Sequence, residues 1–422
     1  QQEEKIMYLL PKPKTIKEQD GQMLLCHSTH IVMTKEVAET EMHAAKRLQE
    51  AIRQETGLIL PFSVGEVREG DLSLGIAKTL PEQTYESTID EKGGQISGGD
   101  GAGVLYGVET FCQIVQQCGG ILPCVQIQDA PDMPNRGYYF DQTRGRVLKL
   151  EELKKIADRM CRYKLNQLQL YVEHTYLFRD FSEMWRDQTP LTAEEILELD
   201  SYCRERHIEL VPSLASFGHL CTLLSTKTYG DLCEMEDSWK EPFSFWNRMR
   251  YHTINVSDER SLPLIKKMIA EYMQLFSSNK FNICADETFC LGKYKSKKLH
   301  EERGVHRLYI DYVKELAQFL VENGKIPMFW GDIIWNSPEL MKELPESMIC
   351  LNWGYAPEQR EDETRAIAQT GAVQYLCPGV CGWNQWANLI ENSYKNITRM
   401  CGYAAKYHGI GVLNTDWGDF GH

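Results

Sequence analysis

The chain has 422 residues, of which 42% are hydrophobic, 25% charged and 10% aromatic, and its formal net charge is −14. That composition excludes a disordered chain, and the length suits a barrel of roughly 250 to 300 residues with a smaller companion domain. An acidic balance without clustered Lys and Arg excludes a nucleic-acid partner, and no run of about eighteen apolar residues is present to span a membrane.

The chain opens Gln1-Gln2-Glu3-Glu4, with no Met and no charged-then-apolar leader, which reads as a trimmed start. The 14 cysteines are scattered without a CxxC, and Cys112, Cys161, Cys203 and Cys284 fall at core positions. Buried reduced thiols are expected, which tilts the compartment toward the cytoplasm. Strands are predicted over residues 7–10, 24–34 and 72–76. A helix is predicted over 38–55, where Met42, Ala45, Leu48 and Ile52 recur at three or four residues. A second helix over 102–117 is entered from the turn Gly98-Gly99-Asp100-Gly101, which no Lys-Ser or Lys-Thr follows as a phosphate loop requires. The Pro-broken stretch Asp129-Ala130-Pro131-Asp132-Met133-Pro134-Asn135 sets a boundary, giving an N-terminal α+β domain over 1–128 and a second domain over 129–422.

Beyond it, eight short apolar runs alternate with amphipathic helices. The runs cover 138–142, 167–172, 208–212, 281–285, 326–330, 348–353, 373–377 and 410–414. Leu153, Ile156, Ala157, Met160 and Cys161 share one helical face, as do Ile265, Met268, Ile269, Tyr272, Met273 and Phe276, and Thr192 with Glu195 forms a capping-box pattern. Eight strands alternating with helices predict an α/β fold, a closed (β/α)8 TIM barrel preceded by the small α+β domain. The chain stops a few residues after the eighth run, so the barrel is expected to lack its last helix here.

In such a barrel the active site is built where the strands end. The second strand ends in Glu173-His174-Thr175, the third in Ser216-Phe217-Gly218-His219 and the fourth in Asp286-Glu287-Thr288. The fifth gives Trp330-Gly331-Asp332 and the sixth Asn352-Trp353-Gly354-Tyr355; the seventh leads to Trp383, and the eighth yields Asp416-Trp417-Gly418-Asp419. Trp330, Trp353, Trp383 and Trp417 therefore converge on one mouth, as a pyranose requires, since its C–H bonds pack on aromatic faces while its hydroxyls seek polar groups. Side chains alternate along a strand, so Asp286 and Glu287 can both reach the cavity only where the strand has ended. Packed together, they are expected to divide the work of a general acid and an ionised partner. His174 and His219 with Glu173 and Asp286 are the alternative, a metal set; no His-x-His follows the first strand, where Asp141-Gln142-Thr143 stands, so no catalytic metal and no other cofactor is expected.

These residues resemble glycoside hydrolase family 20, the β-N-acetylhexosaminidases. Ile96-Ser97-Gly98 through Gly107-Val108-Glu109-Thr110-Phe111 resembles the end of the family's small domain; Arg136-Gly137 with Asp141 and Arg144 resembles its first-strand signature; Lys164-Leu165-Asn166-Gln167-Leu168 resembles its second-strand entry; Phe217-Gly218-His219 resembles its third-strand Pro-Gly-His; and residues 282–287 resemble its Asp-Glu block. The resemblance implies a retaining exo-hydrolase in which Glu287 protonates the glycosidic oxygen, the substrate's own 2-acetamido oxygen attacks C1, and Asp286 holds the acetamide N–H and stabilises the oxazolinium. It also implies that Arg136 and Asp419 bind sugar hydroxyls, that Trp330, Trp353 and Trp417 wall the acetamide pocket, and that His174 and His219 support the site from behind. Three departures stand out. Glu173-His174-Thr175 replaces Thr-Asp-Asp, Trp417-Gly418-Asp419 replaces Trp-x-Glu, and no Tyr-Asp pair is evident in Cys377-Pro378-Gly379-Val380-Cys381. The expected partner is an oligosaccharide or glycoconjugate with a terminal N-acetylhexosamine, and a homodimer is compatible with the chain. Two rivals remain: a two-carboxylate retaining β-glycosidase with Asp416 or Asp419 as nucleophile, and a non-catalytic sugar-binding barrel.

Overall fold

A computed structural model describes residues 7–242 and 244–419. The chain divides into two compact units: residues up to Pro134 with Lys155–Asn166 and Tyr202–Ile208, and Asn135–Lys154 with Gln167–Ser201 and everything from Glu209 onward.

The first unit is built on a seven-stranded mixed sheet. Its strands are β1 (Thr15–Leu24), β2 (Ile31–Met33), β3 (Phe62–Val64), β4 (Leu72–Ile76), β5 (Tyr85–Asp90), β6 (Gly93–Gly98) and β7 (Ile121–Asp129), in the order β1-β7-β5-β6-β4-β2-β3. Residues 7–10, predicted as a strand, are not one; the edge strand is β1, whose polar sequence hides it. The predicted helix over 38–55 is two helices, Lys35–Thr40 and Met42–Thr56, and Ala45, Leu48 and Ile52 are buried as the spacing implies. Helix Gly101–Cys118 starts where the turn predicted it, with Asp100 as cap accepting from the Gly103 N–H at 2.7 Å. The turn's glycines answer to crowding, since a Cβ on Gly99 would fall 1.9 Å from the Pro81 carbonyl oxygen.

The second unit is a closed eight-stranded parallel barrel. Its strands are β8 (Asn135–Asp141), β9 (Gln167–Val172), β10 (Glu209–Leu214), β11 (Lys280–Asn282), β12 (Ile326–Trp330), β13 (Ile349–Trp353), β14 (Val373–Cys377) and β15 (Gly411–Asp416). Pairing of Gly411 through Asp416 with Asn135 through Phe140 closes it. Polar residues inside the barrel satisfy one another: Asn282 Nδ2 donates to Gln169 Oε1 at 3.0 Å, and Tyr139 and Ser213 share a hydroxyl contact of 2.8 Å. Outer helices follow the predicted faces, with Ile265, Met268, Ile269 and Tyr272 buried. The capping box is reciprocal: the Glu195 N–H donates to Thr192 Oγ1, and the Thr192 N–H donates to Glu195 Oε2. The fourteen cysteines are free, with Cys112, Cys161, Cys203 and Cys284 buried. Among the described residues no helix is long and apolar enough to cross a membrane.

Candidate active site

The fourth strand ends earlier than its apolar run. β11 stops at Asn282, and Cys284, Ala285 and Glu287 then take left-handed backbone conformations with φ of 57°, 64° and 49°. Three such residues, none of them glycine, are held by tertiary structure at a cost of about 1–3 kcal/mol each. Their effect is to swing the chain so that the neighbours Asp286 and Glu287 both line one cavity, which a continuing strand forbids.

That cavity opens to solvent at the C-terminal end of the barrel and is lined by Arg144, Met249, Asp286, Glu287, Trp330, Trp353, Tyr355, Trp383, Trp417 and Asp419. The four predicted tryptophans thus meet. Trp330 and Trp417 lie 5.8 Å apart between ring centroids and pack on Tyr139. Trp353 stacks on Tyr355 at 5.1 Å, and Trp383 meets Tyr355 edge-on at 5.0 Å. The Trp417 indole N–H donates to the Tyr355 hydroxyl at 2.8 Å. Trp353, Tyr355 and Trp383 therefore form one aromatic wall, with Trp417 tied to it by that bond.

His219, buried behind the carboxylates, places Nε2 at 3.4 Å from Asp286 Oδ2 and 3.3 Å from Glu287 Oε2. Burial opposes a charged imidazole, but the Asp286 and Glu287 carboxylates outweigh it and raise the His219 pKa to about 10. Asp332 accepts the Glu287 backbone N–H at 3.0 Å, and burial together with the nearby Asp286 and Glu287 charges pushes its carboxyl up to about 8. Asp286 Oδ1 is buried without a hydrogen-bond partner among the described residues, which leaves an unsatisfied acceptor at the site. His219, Asp286 and Glu287 also bring one donor atom each within 4.8 Å, the one set among the described residues that could hold a metal ion. The ion pairing of His219 accounts for the same cluster.

The first strand delivers a different arginine from the one expected. Arg136 is the second residue of β8, paired with Val412 at the strand's N-terminal end, so it stands about five residues, or roughly 16 Å, from the mouth. Arg144, just past Asp141, lines the cavity instead. Its Nε donates to Glu173 Oε1 at 3.1 Å, Nη1 to Asp419 Oδ1 at 2.9 Å and Nη2 to the Tyr171 hydroxyl at 3.1 Å. Each of its three nitrogens is thus engaged, and Nη1 also stands 4.0 Å from Asp141 Oδ2. Asp141, buried, accepts the backbone N–H groups of Thr143, Arg144 and Gly418, and burial raises its carboxyl to about 6.

His174 does not line the cavity; Nδ1 contacts Thr222 Oγ1 at 3.2 Å, and burial holds its imidazole below the ordinary pKa. Asp416 is turned to the Tyr138 hydroxyl and to Arg146, whose Nη2 lies 3.0 Å away, while Asp419 is held by Arg144. Sequence reasoning did not assign sites to Met249, Tyr355 or Asp332. Tyr355 and Asp332 stand in segments that it singled out after β13 and β12, while Met249 lies in a long β10–β11 connection with no signal of its own.

The family models agree with this geometry. Residues 7–130 match domain 2 of glycosyl hydrolase family 20, and residues 134–408 match the catalytic domain of that family. The chain belongs to glycosyl hydrolase family 20. Within the family, a β-hexosaminidase of Porphyromonas gingivalis is 24% identical over 411 residues, covering 89% of this chain and 50% of that protein. A β-hexosaminidase of Vibrio furnissii is 26% identical over 310 residues, covering 66% of this chain and 48% of that one. The chain thus spans about half the length of these relatives. Among solved structures, the exo-β-N-acetylglucosaminidase of Vibrio harveyi in complex with N-acetylglucosamine superposes with a TM-score of 0.78 at 18% identity, covering 97% of this chain and 69% of that one, which establishes the shared fold.

Proposed function

We propose that this chain is a retaining exo-β-N-acetylhexosaminidase that removes terminal GlcNAc or GalNAc from an oligosaccharide or glycoconjugate by substrate-assisted catalysis. The observation that carries this reading is the placement of Asp286 and Glu287 side by side in a tryptophan-lined cavity, with Asp286 Oδ1 lacking a partner among the described residues. Glu287 gives its proton to the glycosidic oxygen as the C1–O bond breaks. The acetamido carbonyl oxygen closes on C1 from the opposite face, and Asp286 accepts the acetamide N–H, balancing the positive oxazolinium. Glu287, now ionised, takes a proton from the water that reopens C1, so two inversions retain the configuration. Asp416 and Asp419 make poor nucleophiles because both are held by arginines. The β-hexosaminidase names of the relatives support the same substrate class.

Wild type and Asp286→Ala are to be assayed on aryl β-N-acetylglucosaminide, aryl β-N-acetylgalactosaminide and aryl β-glucoside. Hydrolysis confined to the acetamido sugars, with kcat lowered on the order of 100-fold or more in the variant, is the expected result. Equal turnover of the glucoside, or a variant as fast as wild type, defeats the reading.

A further inference from the structure

Glu173 directly follows β9 and is shared between two guanidinium groups. Oε1 accepts from Arg144 Nε at 3.1 Å and from the Tyr171 hydroxyl at 2.9 Å, while Oε2 accepts from Arg248 Nη2 at 2.8 Å. Its side chain is only 2% exposed. Burial opposes the charged carboxylate, but Arg248 and Arg144 outweigh it and hold the group ionised, well below the usual carboxylate range.

The two arginines come from unlike places. Arg144 lies just past β8 and lines the cavity. Arg248 belongs to the short helix Phe245–Arg250, which buries none of its own side chains, and the next residue, Met249, lines the same cavity. So short a helix is unstable by itself and takes its position from tertiary ties. Its first turn is capped by Ser244, and its end receives a bond from Cys290 Sγ to the Arg250 carbonyl; its ion pair to the barrel runs from Arg248 to Glu173.

We propose that Glu173 is a positioning residue that couples two walls of the sugar cavity, orienting Arg144 with one oxygen and seating the Phe245–Arg250 helix with the other. Arg248 then sets affinity for the terminal N-acetylhexosamine without touching it. Removing Arg248 leaves Oε2 buried without its partner, lets the Glu173 carboxylate turn from Arg144, and releases the wall that carries Met249. The acid Glu287 and the helper Asp286 depend on His219 and Asp332 instead, so the chemical step is spared. This inference rests on the hexosaminidase reading above.

The test is Arg248→Met and Arg248→Lys in the full chain, with kcat and KM measured on aryl β-N-acetylglucosaminide and the GlcNAc dissociation constant by calorimetry. A KM and dissociation constant raised about tenfold with kcat within about threefold, partly rescued by Arg248→Lys, is expected. A purely structural role lowers the active fraction, and so kcat, while leaving KM unchanged. If Arg248→Met does not fold, Arg248→Lys carries the same readout, with a raised KM and an unaltered circular dichroism spectrum. Wild-type KM in the folded variants overturns this inference alone; a wild-type protein that neither hydrolyses nor binds the acetamido sugar overturns the hexosaminidase reading and this one with it.

Discussion

The carboxylate of Asp332 accepts the backbone N–H of Glu287 at 3.0 Å, so the residue that fixes the acid's backbone is itself ionisable. Burial and the Asp286 and Glu287 charges put the Asp332 carboxyl at about 8. Near neutrality it is protonated, and above pH 8 it adds a negative charge beside Asp286. The kcat/KM profile is expected to fall on an alkaline limb near pH 8. Asp332→Asn keeps an acceptor for the Glu287 N–H and cannot ionise, so the limb should move up by about one pH unit or more. An unmoved limb assigns it to another group.

His219 ties stability to pH. Its folded pKa of about 10 lies above the ordinary 6.5, so its contribution is fully present below about pH 6.5 and is lost as pH rises through about 10. Asp332, also raised, works in the same direction between its ordinary 3.8 and about 8. Denaturant midpoints of wild type should therefore fall from pH 6 to pH 10. His219→Gln should be less stable than wild type at pH 6 and nearly equal to it at pH 10. A gap that stays constant across this range refutes the ion-pair role.

The barrel was legible because its runs are short, apolar and bounded by turns: β9, β12 and β14 fall on the predicted residues. The site was legible at strand ends, where four tryptophans and the Asp-Glu pair stand in sequence order. What sequence could not report is tertiary. Cys284 and Ala285 have the composition of a strand, yet they adopt φ of 57° and 64°, a conformation imposed by the fold. Arg136 and Arg144 belong to one motif, and only the start of β8 at Asn135 separates the arginine at the foot of the barrel from the one at its mouth. The edge strand β1 pairs on one side only, with β7, and most of its residues are exposed, so no apolar period marks it.

Loss of Glu287 should depend on the leaving group. A phenol of low pKa departs without a proton, whereas a poor leaving group needs one. For Glu287→Ala, kcat/KM is expected to fall by about 10²–10⁴ on the phenyl β-N-acetylglucosaminide and by about tenfold or less on the dinitrophenyl analogue. Because kcat/KM reports the first irreversible step, slow breakdown of the intermediate does not mask the contrast. Equal losses on both substrates remove Glu287 from the acid role.

Arg144 joins stability to binding. Its guanidinium stands 4.9 Å from the Tyr171 ring centroid and 5.4 Å from the Trp417 ring centroid, while its three nitrogens reach Glu173, Asp419 and Tyr171. Lysine offers one ammonium point charge in place of that planar fork and cannot reach all three partners from between the rings. Arg144→Met removes the charge and leaves Asp419 without this partner and Glu173 with Arg248 and the Tyr171 hydroxyl as donors. Breaking a buried pair from one side costs about 3–5 kcal/mol. The midpoint of thermal unfolding should drop by about 5 °C, and Arg144→Lys should recover part of the stability but little of the sugar affinity. An Arg144→Met protein that melts with wild type shows that the network is solvent-compensated, and full affinity in Arg144→Lys shows that a single charge, without the fork, suffices for the sugar.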